Sequence, residues 1–226
     1  MLGGADLSAR PAEASPDRAL VFEVIGPVAN FVQAARNAGL EWLAEEYDSA
    51  PAEDDEGSEY VEGEAIGETL LYVTMPTIAG LQRVLALWNR FIRNEPKPSD
   101  ASEWWSLFGY LSEVRTWSAR DRVDPAVSSY VERMLERYPE RPVRLELDLW
   151  FREDEELRAR AREYVDALME AVGGQVLDFA VIPPIRYQAA LVELPGVQAR
   201  MLHEFRGPLA NADRVMRVRC KSMDLT

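Results

Sequence analysis

The stretch from Val143 to Arg219 constrains the fold more than any other part of the chain, because its apolar spacing switches between strand-like and helix-like periods in the order strand, helix, strand, strand, helix, strand. In Val143-Arg-Leu-Glu-Leu-Asp-Leu-Trp150 the residues Val143, Leu145, Leu147 and Leu149 fall on one side, with Arg144, Glu146 and Asp148 on the other. That alternation predicts a strand with one wet face. Asp154 is placed to cap a helix on which Leu157, Ala161, Tyr164, Val165, Leu168, Met169 and Val172 share a face, and Gly173-Gly174 ends it. Val176 to Ile182 and Tyr187 to Leu194 are β-rich and flank Pro183-Pro184, which predicts a hairpin with a rigid turn. Pro195-Gly196 opens a short helix carrying Val197, Met201, Leu202 and Phe205, and Asp213 to Arg219 supplies a last strand through Val215, Met216 and Val218. The order matches the ferredoxin-like βαββαβ unit.

The upstream half reads as a looser copy. Ala19 to Ile25 alternates as a strand, Pro27 to Ala38 reads as a helix bearing Val28, Phe31, Val32 and Ala35, and Gly39 stops it. Leu40 to Tyr47 is the second strand and Leu70 to Met75 the third; Pro76-Thr77 then opens a helix with Ile78, Leu81, Leu85, Trp88 and Ile92. Leu70-Leu-Tyr-Val-Thr-Met-Pro76 and Ala189-Ala-Leu-Val-Glu-Leu-Pro195 occupy equivalent places, each ending in proline before a helix. Glu113 to Ser118 is the candidate fourth strand, after an added helix at Trp104 to Leu111, and Val127, Val131, Met134 and Leu135 mark one more helix before Pro139 and Pro142. The expected fold is α+β: two tandem ferredoxin-like units with antiparallel sheets, helices packed on one face, and extra helices in the connecting segment. The corresponding layout is a flexible start at 1–18, a first unit at 19–118 with an acidic loop at 50–66, a helical connector at 119–142, a second unit at 143–219 and a tail at 220–226.

Of 226 residues, 47% are hydrophobic, enough for packed cores in two small units that share an interface. No apolar run is long enough for a secretory signal or a membrane span, and the single Cys220 excludes an internal disulfide, so a cytoplasmic compartment is expected. The net charge of −14 argues against a broad nucleic-acid footprint. Acid concentrates in Glu53-Asp-Asp-Glu-Gly-Ser-Glu-Tyr-Val-Glu-Gly-Glu64, whose spacing fits no calcium loop; it reads as a solvated run or a contact for a basic groove on a partner.

Catalytic patterns are missing from the sequence. His203 is the sole histidine, so a His-rich metal site lacks members, and there is no GxSxG, GxxxxGK, GxGxxG or CxxC string. No cofactor is expected, and the chain by itself does not read as an enzyme. Trp104, Trp105, Phe108 and Trp117 cluster in the connecting segment, where they read either as core packing or as an exposed patch for a partner.

The strings Leu20-Val-Phe-Glu-Val-Ile-Gly26, Gly39-Leu-Glu-Trp-Leu-Ala-Glu45, the acidic insert, Leu71-Tyr-Val-Thr-Met-Pro76, Val181-Ile-Pro-Pro-Ile-Arg-Tyr187 and Ala212-Asp-Arg-Val-Met216 together resemble the region preceding the catalytic domain in large bacterial subtilisin-like serine peptidases. The resemblance covers roughly residues 19 to 219. The Asp, His and Ser motifs of the catalytic domain are not in this chain, which leaves the pro-region alone.

The resemblance implies a propeptide acting as intramolecular chaperone and protease inhibitor: an open sheet face docks on the catalytic domain and the segment after the last strand lies in the active-site cleft as an added strand. Here that segment is Cys220, Lys221, Ser222, Met223, Asp224, Leu225 and Thr226, with Thr226 in the first subsite and Met223 in the fourth if the cut falls after Thr226. A surface that binds folded protease better than unfolded protease favours the folded form by mass action. The second unit, directly before the tail, is the expected docking unit, leaving the first with its acidic loop for a regulator. Some related peptidases are encoded beside an AAA-type ATPase and linked to phage defence, so the competing expectation is an adaptor that binds such an ATPase through protein–protein interaction.

Overall fold

Two four-stranded antiparallel sheets, one in each half of the chain, organise the computed structural model, which describes residues 18–25, 28, 30–47 and 69–220. The fold is α+β, with eight α-helices among the described residues, and the chain divides into units at Thr116/Trp117.

The first unit runs β1 (Leu20–Ile25), α1 (Phe31–Ala38), β2 (Leu40–Tyr47), β3 (Thr69–Pro76), α2 (Ile78–Ile92), α3 (Ser102–Tyr110) and β4 (Leu111–Thr116), with strand order β2-β3-β1-β4. Thr77 caps α2 by accepting from the Gly80 N–H, and Gly39 ends α1 in the left-handed region. The helices cover one side of the sheet over an aromatic core: Phe31 stacks on Tyr72 at 4.7 Å and meets Trp104 edge-on at 5.6 Å. The buried Tyr72 hydroxyl is satisfied by accepting from the Val28 N–H at 3.1 Å, and its burial pushes the phenol pKa up. The other side is buried as well, since Val21, Leu71, Val73 and Met75 are all inaccessible. Burial on both sides accounts for the nearly unbroken apolar run from Leu70 to Met75, where a half-wet strand would alternate.

The second unit runs α4 (Ala119–Arg122), α5 (Pro125–Arg137), β5 (Val143–Leu149), α6 (Glu155–Val172), β6 (Gln175–Ile182), β7 (Tyr187–Leu194), α7 (Gly196–His203), α8 (Gly207–Ala210) and β8 (Val215–Cys220), in strand order β6-β7-β5-β8. Asp154 caps α6, accepting from Glu156 and Leu157 N–H at 2.8 and 3.1 Å, and the Pro183–Ile185 turn joins β6 to β7. Its core is aliphatic: Val143, Leu145, Leu147, Val165, Met169, Val192, Leu194 and Leu202. The stretch at 119–142, expected as a connector, is part of this unit. Val127 and Val131 of α5 are in its core, and α5 packs on α7 and β8. Arg122 holds α4 in place from a buried position, donating Nε to the Val215 carbonyl at 2.7 Å and Nη1 to the Ala210 carbonyl at 2.5 Å.

The two sheets repeat each other residue by residue. Pairing Phe22–Tyr72 with Leu147–Ala190 places Glu23 with Asp148, Val73 with Leu191, Arg115 with Arg219 and Ala44 with Asp178. Three features then coincide. The central-strand register breaks after Glu23 and after Asp148; the outer pairing bulges at Leu43 and at Leu177; and Gly39 and Gly173, both left-handed, close the preceding helices. An ion pair repeats too, Glu23 with Arg115 at 2.6 Å and Asp148 with Arg219 at 2.8 Å. The prolines that end Leu70–Pro76 and Ala189–Pro195 are not equivalent in the structure. Pro76 is the last residue of β3 whereas Pro195 stands at the N-cap of α7, equivalent to Thr77. A one-residue offset reverses the faces of a strand, so the true match is one position along.

Candidate interaction surface of the second sheet

On the side of the second sheet away from its helices, β5 contributes Glu146 and Asp148, β7 contributes Tyr187, Ala189, Leu191 and Glu193, and β8 contributes Arg217 and Arg219. Alternation sends these side chains there because Leu145, Leu147, Ala190 and Val192 take the core side. Exposure across this face is graded. Asp148 and Ala189 are buried, Glu146, Tyr187 and Leu191 are half-buried, and six of the eight β6 residues are exposed. Leu177, Val181 and Ile182 on β6, with Ile185 in the turn, are the large apolar side chains left accessible in this region.

The polar groups of the face form one network. Arg219 donates Nε to Asp148 Oδ2, while Oδ1 has no hydrogen-bond partner among the described residues. Loss of water pushes the Asp148 carboxyl up to about 6; Arg219 opposes that shift and the neighbouring Glu146 adds to it. Tyr187 donates to Glu146 at 2.9 Å, and burial followed by that bond pushes its phenol up to about 12. Both shifts follow from burial on a structural sheet. The network orders the side chains of this face.

The tail expected to fill a protease cleft begins at Cys220, the last residue of β8; Lys221, Ser222, Met223, Asp224, Leu225 and Thr226 lie outside the described residues, as does the acidic run at 53–64. Cys220 is half-buried, its Sγ 3.4 Å from the Ala126 carbonyl oxygen, and burial raises its thiol pKa, the opposite of an activated thiolate. His203 lies in the last turn of α7, its Nδ1 without a partner among the described residues. The aromatic cluster is core. Trp104 and Phe108 are buried in the first unit with Trp105 half-buried beside Phe108, while Trp117 is buried in the second, donating Nε1 to the Met216 carbonyl at 2.7 Å and meeting Trp150 edge-on. Sequence reasoning missed Arg122 and the short helices α4 and α8. The Ser118–Asp121 capping box was the available signal for α4.

A groove of about 770 Å³ opens at one end of the second unit between Leu135, Pro139, Gly174, Glu193, Pro195 and Val197. Its shape is open, and Glu140, Gln175 and Arg200 also line it. Among the described residues no group of three or more His, Cys, Asp or Glu side chains could hold a metal ion, and no helix is long and apolar enough to cross a membrane. No known family model and no curated protein matches the chain.

Proposed function

We propose that this chain is a non-catalytic propeptide-like module for a subtilisin-like serine protease, built from two ferredoxin-like units and acting as chaperone and inhibitor. The observation that carries the reading is the second sheet's accessible β6 flank, bearing Leu177, Val181 and Ile182, on a sheet whose opposite edge, β8, runs straight into residues 221–226. The finer fold assignment is supported by the strand order shared by both sheets and by their coincident bulges and ion pairs. Buried Asp148 on β5 and Ala189 on β7 narrow the docking area to the β6 side. Three strand spacings of about 4.8 Å separate β6 from β8, and six extended residues span roughly 20 Å, so a partner seated on that side stays within reach of the tail.

In this mechanism the exposed apolar flank binds the folded catalytic domain, and the tail adds to its cleft as an extended strand whose main chain supplies affinity. Chaperoning and inhibition are then one binding event. The adaptor alternative, with an AAA-type ATPase as partner, loses support because Trp104, Phe108 and Trp117 of the aromatic patch offered for it are buried. The test is inhibition of a subtilisin-like catalytic domain. Deleting 221–226, which leaves β8 whole, is expected to weaken inhibition at least tenfold with an unchanged melting temperature; equal inhibition by the shortened chain refutes the proposal.

A further inference from the structure

Each four-stranded sheet has two outer edges, and three of the four carry charges against strand addition. Edge β2 bears Glu41, Glu45 and Glu46, β4 bears Glu113 and Arg115, and β8 bears Arg217 and Arg219 and is bridged by Val123. Edge β6 is different. At the positions equivalent to Glu41, Glu45 and Glu46 it has Gln175, Phe179 and Ala180, and its one charge is Asp178.

Asp178 occupies a telling place. Its Oδ1 accepts from the Phe179 N–H at 2.8 Å, so that donor is turned away from β7. In an antiparallel ladder the bonding direction alternates, which turns Phe179 and Val181 outward while Asp178, Ala180 and Ile182 bond to Leu191, Ala189 and Tyr187 of β7. The outer rim of β6 therefore offers main-chain donors and acceptors at strand spacing, with one donor covered by a carboxylate. Only another extended main chain matches that pattern. When its carbonyl takes the Phe179 N–H, the Asp178 carboxylate is released beside the new strand, where a cation compensates it.

We propose that the outer edge of β6 is a strand-accepting site for an extended, apolar segment of a partner protein carrying a Lys or Arg opposite Asp178. The net charge of −14 favours such a basic segment over a second copy of this chain. The inference uses the strand's edge, whichever protein the sheet face binds, and so stands apart from the protease reading.

The test uses the full chain and a fluorescein-labelled eight-residue peptide of alternating valine and threonine with one central lysine, followed by fluorescence anisotropy. Saturable binding is expected, about tenfold tighter than for the same peptide with glutamate in place of lysine. Asp178→Asn is expected to erase that preference. Val181→Pro removes an outward donor at an edge position where proline is tolerated, and is expected to abolish binding. Should that variant fail to fold, N-methylating alternate residues of the peptide tests the same bonds on the unaltered chain. Equal binding of the N-methylated peptide, or no saturation by either peptide, overturns the proposal. So does a concentration-dependent dimer in sedimentation velocity that Val181→Pro abolishes, because a second copy then fills the edge.

Discussion

The two sheets share strand order, bulge positions and a cross-strand ion pair, yet the first is packed with aromatic rings and the second with aliphatic side chains. Phe22, Phe31, Tyr72, Trp88, Trp104 and Phe108 fill one core; valine, leucine and methionine fill the other. Topology here follows the pattern of apolar and polar positions and the points where the ladder slips, and it tolerates different side chains behind that pattern. The sides away from the helices diverge further. Val21 and Met75 of the first sheet correspond to Glu146 and Glu193 of the second. One scaffold thus has its second surface dry in one unit and charged in the other.

The sharpest way to break that comparison is to place a carboxylate at equivalent positions. Val73 is fully buried on a central strand, and Val73→Asp is expected to cost about 4 kcal/mol or more and unfold the first unit. Leu191, its half-buried counterpart, faces Glu146 across β5, and Leu191→Asp is expected to cost about 1–2 kcal/mol through like-charge repulsion and lost packing. Hydrogen exchange resolved by unit reads both changes. Similar protection loss in the two variants contradicts the dry-versus-charged distinction.

A smaller effect separates how each unit brings a helix against its sheet. At Gly80 an added Cβ falls 2.6 Å from the Gly39 carbonyl oxygen, the same oxygen that accepts from Thr77 Oγ1. Gly80→Ala is therefore expected to destabilise by about 2 kcal/mol despite alanine's better helix propensity. The second unit uses a different residue for its close approach: Gly174, where a Cβ meets the Glu193 carbonyl oxygen at 2.7 Å. Gly109 of α3 meets nothing within 4 Å and serves as the control, with Gly109→Ala expected to stabilise by up to about 1 kcal/mol. Urea titration of the two variants settles the ranking.

Much of this architecture was legible in the sequence for local reasons. Strands such as β2, read at Leu40 to Tyr47, are bounded by a glycine helix stop, and α6 is bracketed by the Asp154 cap and Gly173. The exposed β6 edge was not legible, because a short apolar run looks the same whether its outer rim is paired or free; only strand order distinguishes them. The fate of Trp104 and Phe108 was ambiguous for a related reason, since composition cannot tell a core cluster from a patch. Arg122 was invisible as a buried cation because its partners are the carbonyls of Val215 and Ala210, distant in sequence. The assignment of 119–142 as a connector failed at the same level, as Val127 and Val131 find their core through contacts with later elements.

The smallest expected effect probes the charged face directly. Burial holds Asp148 at about 6 against an ordinary value of 3.8, so the folded chain binds this proton more tightly than the unfolded chain does. Stability from this group is therefore fully present below pH ~4 and is lost as pH rises through about 6, at most about 3 kcal/mol for a shift of this size. Asp148→Asn keeps a neutral acceptor for Arg219 and removes the titration, while Glu146, Tyr187 and Arg217 remain around it. Losing the attraction to half-exposed Arg219 offsets part of the gain, leaving the variant more stable than the parent by about 1 kcal/mol at pH 8 and no more stable at pH 4. Urea midpoints at pH 4, 6 and 8 should diverge in that direction. Parallel curves for the two proteins mean that the carboxylate on the second sheet is hydrated, and with it goes the account of this face as a graded surface that opens toward β6.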